Sequence, residues 1–315
     1  MSDAPEPSTA ARRPGGWRGV VRALYLVGVV AAFVVAVVAR REEIGDQLAL
    51  TDPLPLTASV VAGLLGVGVS GLVWRRMLHG LGSSLPLRAA VRVFFLAQIG
   101  KYLPGSLWPV LAQAELGRDH GVPRRSAVAG QTLFMWVHLI TGVALGVPTM
   151  AVTGQLPGWT APLGLLVLVL LLPGPLVTVI DWLLTRAKRT PLPARPDGRD
   201  MAVAVGWALV MWVLYGLHVH WLIDAFEFSA PGPLPVLVAI GAFAAAWSAG
   251  FVFLIAPAGA GAREVVLVAA LDTVTAASTA LTVVLLSRLV LTLADGAWAL
   301  AAAWVGRRSA TDRSS

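Results

Sequence analysis

Apolar residues run along this chain in long, nearly unbroken blocks, and the charged residues gather in the gaps. The blocks cover residues 20–39, 56–74, 126–150, 160–185, 201–223, 235–255 and 277–305. A helix rising 1.5 Å per residue needs about 20 apolar residues to cross about 30 Å of hydrocarbon. The pattern therefore predicts seven transmembrane helices in an all-α, polytopic bundle. The first block has full spanning length and runs on into Arg40, Arg41 and Glu42 without a small-residue cleavage site, so it reads as a retained anchor rather than a signal peptide.

Composition agrees with this pattern. Of the 315 residues, 57% are hydrophobic and 13% charged, with a mean hydropathy of +0.76; water-soluble domains carry about 25% charged residues. An ordinary soluble enzyme is excluded. The sequence has no cysteine, which removes disulfides, thiolate nucleophiles and cysteine-ligated metal sites.

The net charge of +7 reads as topology once its positions are considered. Twenty of the 24 basic residues lie in four places: the N-terminal arm, residues 75–125, residues 186–199 and the C-terminal end. The alternate loops are poor in positive charge: 40–56 has two Arg diluted by Glu42, Glu43, Asp46 and Asp52, 151–159 has none, and 224–234 carries only Asp224 and Glu227. By the positive-inside rule the basic regions face the cytoplasm, in a multi-pass protein of the cytoplasmic membrane with both ends inside. No nucleic-acid partner is implied. Two cytoplasmic ends need an even number of crossings, so an eighth is expected at 263–276. That stretch is too short to span lipid alone, so it must be buried in protein or line a cavity. The ends, about 1–18 and 309–315, are rich in Pro, Ser, Thr and Arg and are expected to be disordered tails flanking a membrane domain at 19–308.

Small residues recur at helical spacing in Ala62, Gly66 and Ser70, and in Ala242, Ala246 and Gly250. Such stripes let helix backbones approach closely inside a bundle. The oligomeric state is not determined by them.

Two segments break the helical pattern. From Pro86 a moderately apolar stretch runs into Lys101, Tyr102, Leu103, Pro104, Gly105, Ser106, Leu107, Trp108 and Pro109. The two prolines each remove a donor and disfavour helical geometry in the residue before them. With basic residues on both flanks, the region 86–116 reads as a re-entrant pair of half-helices. The second break is Pro257, Ala258, Gly259, Ala260, Gly261, Ala262, Arg263, Glu264, followed by an apolar run. Paired Gly/Pro interruptions, one in each half, point to a transporter's binding site, because a helix start at a break offers free N–H groups and a positive dipole end. The plainer alternative is two tight turns at the membrane surface. A nucleotide loop is not supported, since there is no preceding strand and no GxxxxGK[ST].

KYLPGSLW at 101–108 and PAGAGARE at 257–264 resemble the two signature patches of the lysylphosphatidylglycerol synthase transmembrane region, the membrane half of the bacterial multiple-peptide-resistance proteins. The family's first patch reads close to KY(I/L)PG followed by a Trp. Its second is nearer PGGLGxRE, so Pro257, Gly259, Gly261, Arg263 and Glu264 fit while Ala258 and Ala260 depart. Arg288 resembles an Arg in the family's final helices, and Gln131 stands about where the family has a Glu. The resemblance covers about residues 20–306. It implies a flippase-like domain that moves aminoacylated phosphatidylglycerol, with aminoacyl transfer left to a soluble domain not found here.

Beside the resemblance, the residues themselves give a site hypothesis. Intramembrane charges mark substrate pathways, so Lys101 and Arg263 are expected to attract phosphate in a central cavity large enough for a lipid head. Helix starts after Gly105 and Gly261 add N–H donors, and Glu264 and Asp295 balance charge or meet a substrate amine. Tyr102 and Trp108 line the cavity or its lipid-facing edge. Arg288 and Asp295, seven residues apart, share one helix face about 10 Å apart; Glu264 is the expected partner of Arg288, and Lys101 of Asp295. Tyr215, His218, His220 and Trp221 read as headgroup-level residues, because two His at that spacing cannot grip one metal. His138 reads as a hydrogen-bonded packing residue. No catalytic constellation, cofactor or metal site is visible. The expected partner is a membrane phospholipid moved between leaflets, or alternatively a lipid presented to a separate lipid-modifying glycosyltransferase or aminoacyltransferase.

Overall fold

The computed structural model describes residues 52–102, 108–173, 194–227, 232–252 and 261–311, with 178, 182, 185 and 186 as isolated positions. These residues form helices and turns, with no strand among them. Five helices are long and apolar enough to cross a membrane. They are α1 (Pro53–Gly80), α4 (Arg124–Val152), α6 (Gly198–Phe226), α7 (Leu234–Val252) and α9 (Ala277–Thr311). Four shorter helices fill the bundle: α2 (Leu87–Gln98), α3 (Trp108–Leu116), α5 (Thr160–Leu166) and α8 (Ala262–Leu271). The expected span at 20–39 lies outside the described residues.

Local chemistry explains several ends. Asp52 accepts a hydrogen bond from the Leu54 N–H at 2.9 Å, with Pro53 opening α1, which satisfies one free donor at a position where Pro loses nothing. Asp197 and Asp200 cap α6 reciprocally, and the Asp200 N–H holds the Asp197 carboxyl below the usual carboxylate range.

The expected span at 160–185 needs correction. α5 lasts seven residues and passes into a 3-10 turn over Val167–Leu171. Leu172 is then extended, at ψ 130°, as the residue before Pro173 must be. The continuation lies largely outside the described residues.

The long helices approach closely at small residues, one of them Gly66 of the first stripe. α1 lies along α6, and α4 along α7. A Cβ on Gly66 would sit 2.8 Å from the Tyr215 ring, and one on Gly146 would sit 2.6 Å from Ala245 Cα. Between helices of equal apolarity to lipid, such close approach is what drives association. At one end of the bundle Arg76 Nη2 lies 2.7 Å from Asp200 and Gly130 lies against Leu78. The C-terminus of α1 and the N-termini of α4 and α6 therefore share the basic face.

Both breaks become helical hairpins. α2 ends in a 3-10 turn, Ile99–Tyr102, and α3 returns against it. A Cβ on Gly100 would meet the Trp108 and Pro109 backbone at 3.0 Å, so the two arms touch near the bend. α8 folds back on α7 and also packs on α9. With 10 residues it is about 15 Å long, half of a crossing. It is thus protein-packed, as its shortness requires.

Candidate functional site

The two hairpins converge on α9. Lys101, on the 3-10 turn after α2, places Nζ 2.6 Å from Asp295 Oδ2. The Tyr102 hydroxyl donates to the same oxygen at 2.5 Å. Two turns back along α9, Arg288 Nη1 lies 2.8 Å from Glu264 Oε1 on α8. Both expected ion pairs are therefore formed. Each ties one broken segment to the last helix.

Gly261 makes the second arrangement possible. Its φ of +92° suits a residue without Cβ, and this turn brings its N–H to Glu264 Oε2 at 2.6 Å. Glu264 thus caps its own helix with one oxygen and holds Arg288 with the other.

Arg263, adjacent to that cap, differs. Its guanidinium lies over the Phe243 ring, 4.7 Å from the centroid, and among the described residues no carboxylate pairs with it. A cation–π contact is worth about 0.5–2 kcal/mol. Arg263 is half-buried, and the stacking supplies no counter-charge.

Lys101, Arg263, Arg288 and Asp295 line one cavity of about 60 Å³, together with Tyr102 and Tyr215. That is room for at least a few water molecules. The hollow joining the two breaks exists. Phe243, Trp247, Val67, Leu291 and Thr292 complete its wall.

Other expected residues fall differently. Pro104, Gly105, Pro257 and Gly259 lie outside the described residues. Trp108 opens α3, is 45% exposed and is not among the residues that line the cavity. Tyr215 is no headgroup-level residue: it lines the cavity and fills the space left by Gly66. His218 also needs correction. It is fully buried between three helices, with Nδ1 2.8 Å from Ser59 Oγ and Nε2 3.0 Å from Ser287 Oγ. His220 sits 3.4 Å from Asp224, one turn on. His138 is a packing residue as expected, buried and in contact with the Phe134 carbonyl oxygen and the Met211 sulfur. Gln131, also buried, accepts a hydrogen bond from Gln113 at 2.7 Å. Among the described residues no group of three His, Asp or Glu side chains is arranged to hold a metal ion.

The sequence left Thr292, Phe243 and Trp247 unassigned. Thr292 had a signal, lying three residues before Asp295 and four after Arg288 on the same helical face. Phe243 and Trp247 had none, since apolar aromatics in an apolar helix carry no mark of a cavity.

Spanning helices, two hairpins meeting inside the bundle and an ionic cluster around their junction define a polytopic α-helical membrane protein with a polar interior cavity. The family model described as the lysylphosphatidylglycerol synthase TM region matches residues 24–298, and the chain belongs to that family. It is a multi-pass membrane protein tied to lipid handling. No curated protein matches the chain.

Proposed function

We propose that the chain moves a phospholipid or polyprenyl lipid between the leaflets of the cytoplasmic membrane, with both termini on the cytoplasmic side. The observation that carries this reading is the cavity between the two hairpins, where Lys101 and Arg263 converge. Cations beside a cavity inside a bundle suit a phosphate drawn from the membrane, and discontinuous helices are where transporters place such sites.

The test is a leaflet assay in vesicles reconstituted with wild type, Lys101→Ala and Arg263→Ala. Each substitution lowers transport at least tenfold if the cavity is the path. Equal transport by well-folded variants defeats the assignment.

The two ion pairs that tie both hairpins to the last helix favour a second reading, in which the chain grips a lipid phosphate for a separately encoded glycosyltransferase or aminoacyltransferase. The purified protein then moves no lipid but raises the partner enzyme's turnover, and it co-purifies with that enzyme.

A further inference from the structure

The described helices other than α5 pair off across the bundle. α1, α2, α3 and α4 have 28, 12, 9 and 29 residues, and α6, α7, α8 and α9 have 29, 19, 10 and 35. A long helix, a hairpin and a second long helix thus occur twice. The contacts repeat as well: α1 lies along α6, α4 packs on α7 as α9 packs on α2, and α3 touches α4 as α8 touches α9. In each half a polar pair makes that last contact, Gln113 with Gln131 and Glu264 with Arg288.

The two halves are inverted. The first hairpin springs from the basic end, where Arg75 Nε donates to the Leu85 carbonyl oxygen at 2.9 Å just before α2, and α3 leads back to the start of α4. The second springs from the opposite end, because Glu227, which closes α6, accepts from the Thr275 and Thr279 hydroxyls and the Ala276 N–H beside the start of α9. One hairpin therefore enters from each face of the bundle, and the cavity lies where they meet.

The equivalent arms α2 and α7 are seated differently. α7 meets its neighbours at glycine: a Cβ on Gly146 would lie 2.6 Å from Ala245 Cα, and Gly142, Gly216 and Gly241 are closed off by Ser248, Ile240 and Thr149. Such contacts have no side chain that can rotate away, so sliding meets overlap at once. α2 rests on aromatic rings instead. Phe95 stacks on Trp298 of α9 at 4.6 Å, and Phe94 lies 5.5 Å from Trp74 and 5.3 Å from Phe134. Side chains can change rotamer and repack as one helix shears past another. Beyond α2, Lys101 and Tyr102 reach α9 through the single Asp295 carboxylate, and the Lys101 side chain is 37% exposed where that of Arg288 is 18%. Water or a ligand reaches the first ion pair more readily than the second.

We propose that the first hairpin is the part that moves when the cavity opens, while the second belongs to the fixed body of the bundle. α2 slides along α9, Asp295 releases Lys101 and Tyr102, and the cavity opens toward the basic end. The inference deepens the lipid-handling reading, on which it rests, by naming the face from which the cavity is entered.

Distances between paired spin labels test this in the full chain, which has no cysteine of its own. Ile99→Cys with Leu300→Cys spans the first hairpin and α9, and Val252→Cys with Val128→Cys spans α7 and α4; all four sites are exposed and none lines the cavity. In lipid bilayers the first pair is expected to show a second distance longer by about 5 Å, one helical turn, whose share rises in Asp295→Asn and in Lys101→Met. The second pair keeps one distance in all three proteins. A single distance at Ile99 and Leu300 in every folded protein overturns the proposal, and so does a second distance at Val252 and Val128. If neither substitution folds, the wild-type distances decide.

A vesicle assay reads lipid movement separately. Two distances at the first hairpin with no lipid moved leave the moving hairpin standing and remove the lipid-movement reading. Lipid moved by a protein whose first hairpin keeps one distance removes the moving hairpin alone.

Discussion

The Tyr102 hydroxyl donates to Asp295 Oδ2 at 2.5 Å across 193 residues of chain, and the neighbouring Lys101 ammonium reaches the same oxygen. One carboxylate on the last helix therefore fixes the tip of the first hairpin. Exposed ion pairs are worth at most about 1 kcal/mol, and breaking a buried pair costs about 3–5 kcal/mol. With Asp295 buried and Lys101 partly open to the cavity, Asp295→Asn is expected to destabilise the protein by about 2 kcal/mol. Thermal unfolding checks the value, and a double-mutant cycle with Lys101→Met will show coupling above about 1 kcal/mol.

His218 bridges α1 and α9 through two serine hydroxyls in a fully buried setting. A buried polar group left without its partner costs about 1–3 kcal/mol. Ser59→Ala and Ser287→Ala should each lower stability within that range, and their effects should not add to that of His218→Phe, because all three remove one network. Additive losses would show that the serines and the histidine act independently.

The α4–α7 contact leaves no room at Gly146. Overpacking usually costs about 1–3 kcal/mol and occasionally more; since the obstacle is Ala245 backbone rather than a flexible side chain, Gly146→Leu belongs at the upper end. Reduced yield of folded protein in detergent and a lower unfolding midpoint are expected. Gly206, which has open space where its Cβ would be, is the control: Gly206→Ala should be tolerated.

Acid stability carries a sign that can be stated. The Asp200 N–H, accepted at 2.7 Å, holds the Asp197 carboxyl below its ordinary value. Its contribution is therefore fully present above the unfolded pKa of about 3.9 and is lost as pH falls through the lower folded value. Asp197→Ala removes that contribution, so the gap between wild type and variant should close as pH drops below about 4. Unfolding midpoints measured from pH 3 to pH 7 decide it; a gap that widens in acid contradicts the capping role.

The fold was largely legible in the sequence because lipid imposes a length and an apolarity that few other structures share. α1, α4, α6, α7 and α9 all fall on expected blocks. The block at 160–185 is not one continuous helix; its length outweighed Pro173, which forces Leu172 out of helical geometry. At the site, Lys101, Arg263, Glu264, Arg288 and Asp295 stood out since charge is rare in such a chain, and the two ion pairs followed from opposite signs. His218 was misplaced because position along a span does not reveal which face turns inward. The aromatic wall of Phe243 and Trp247 was invisible for a related reason, as the sequence marks apolar residues without showing which of them border a void.

Glu264 serves as a rivet between two bodies. One oxygen locks the start of its own short helix, and the other clasps the long terminal helix, so the two move together until the Arg288 contact parts. Any separation of the short helix from the terminal helix at this point therefore has to break the Glu264–Arg288 pair.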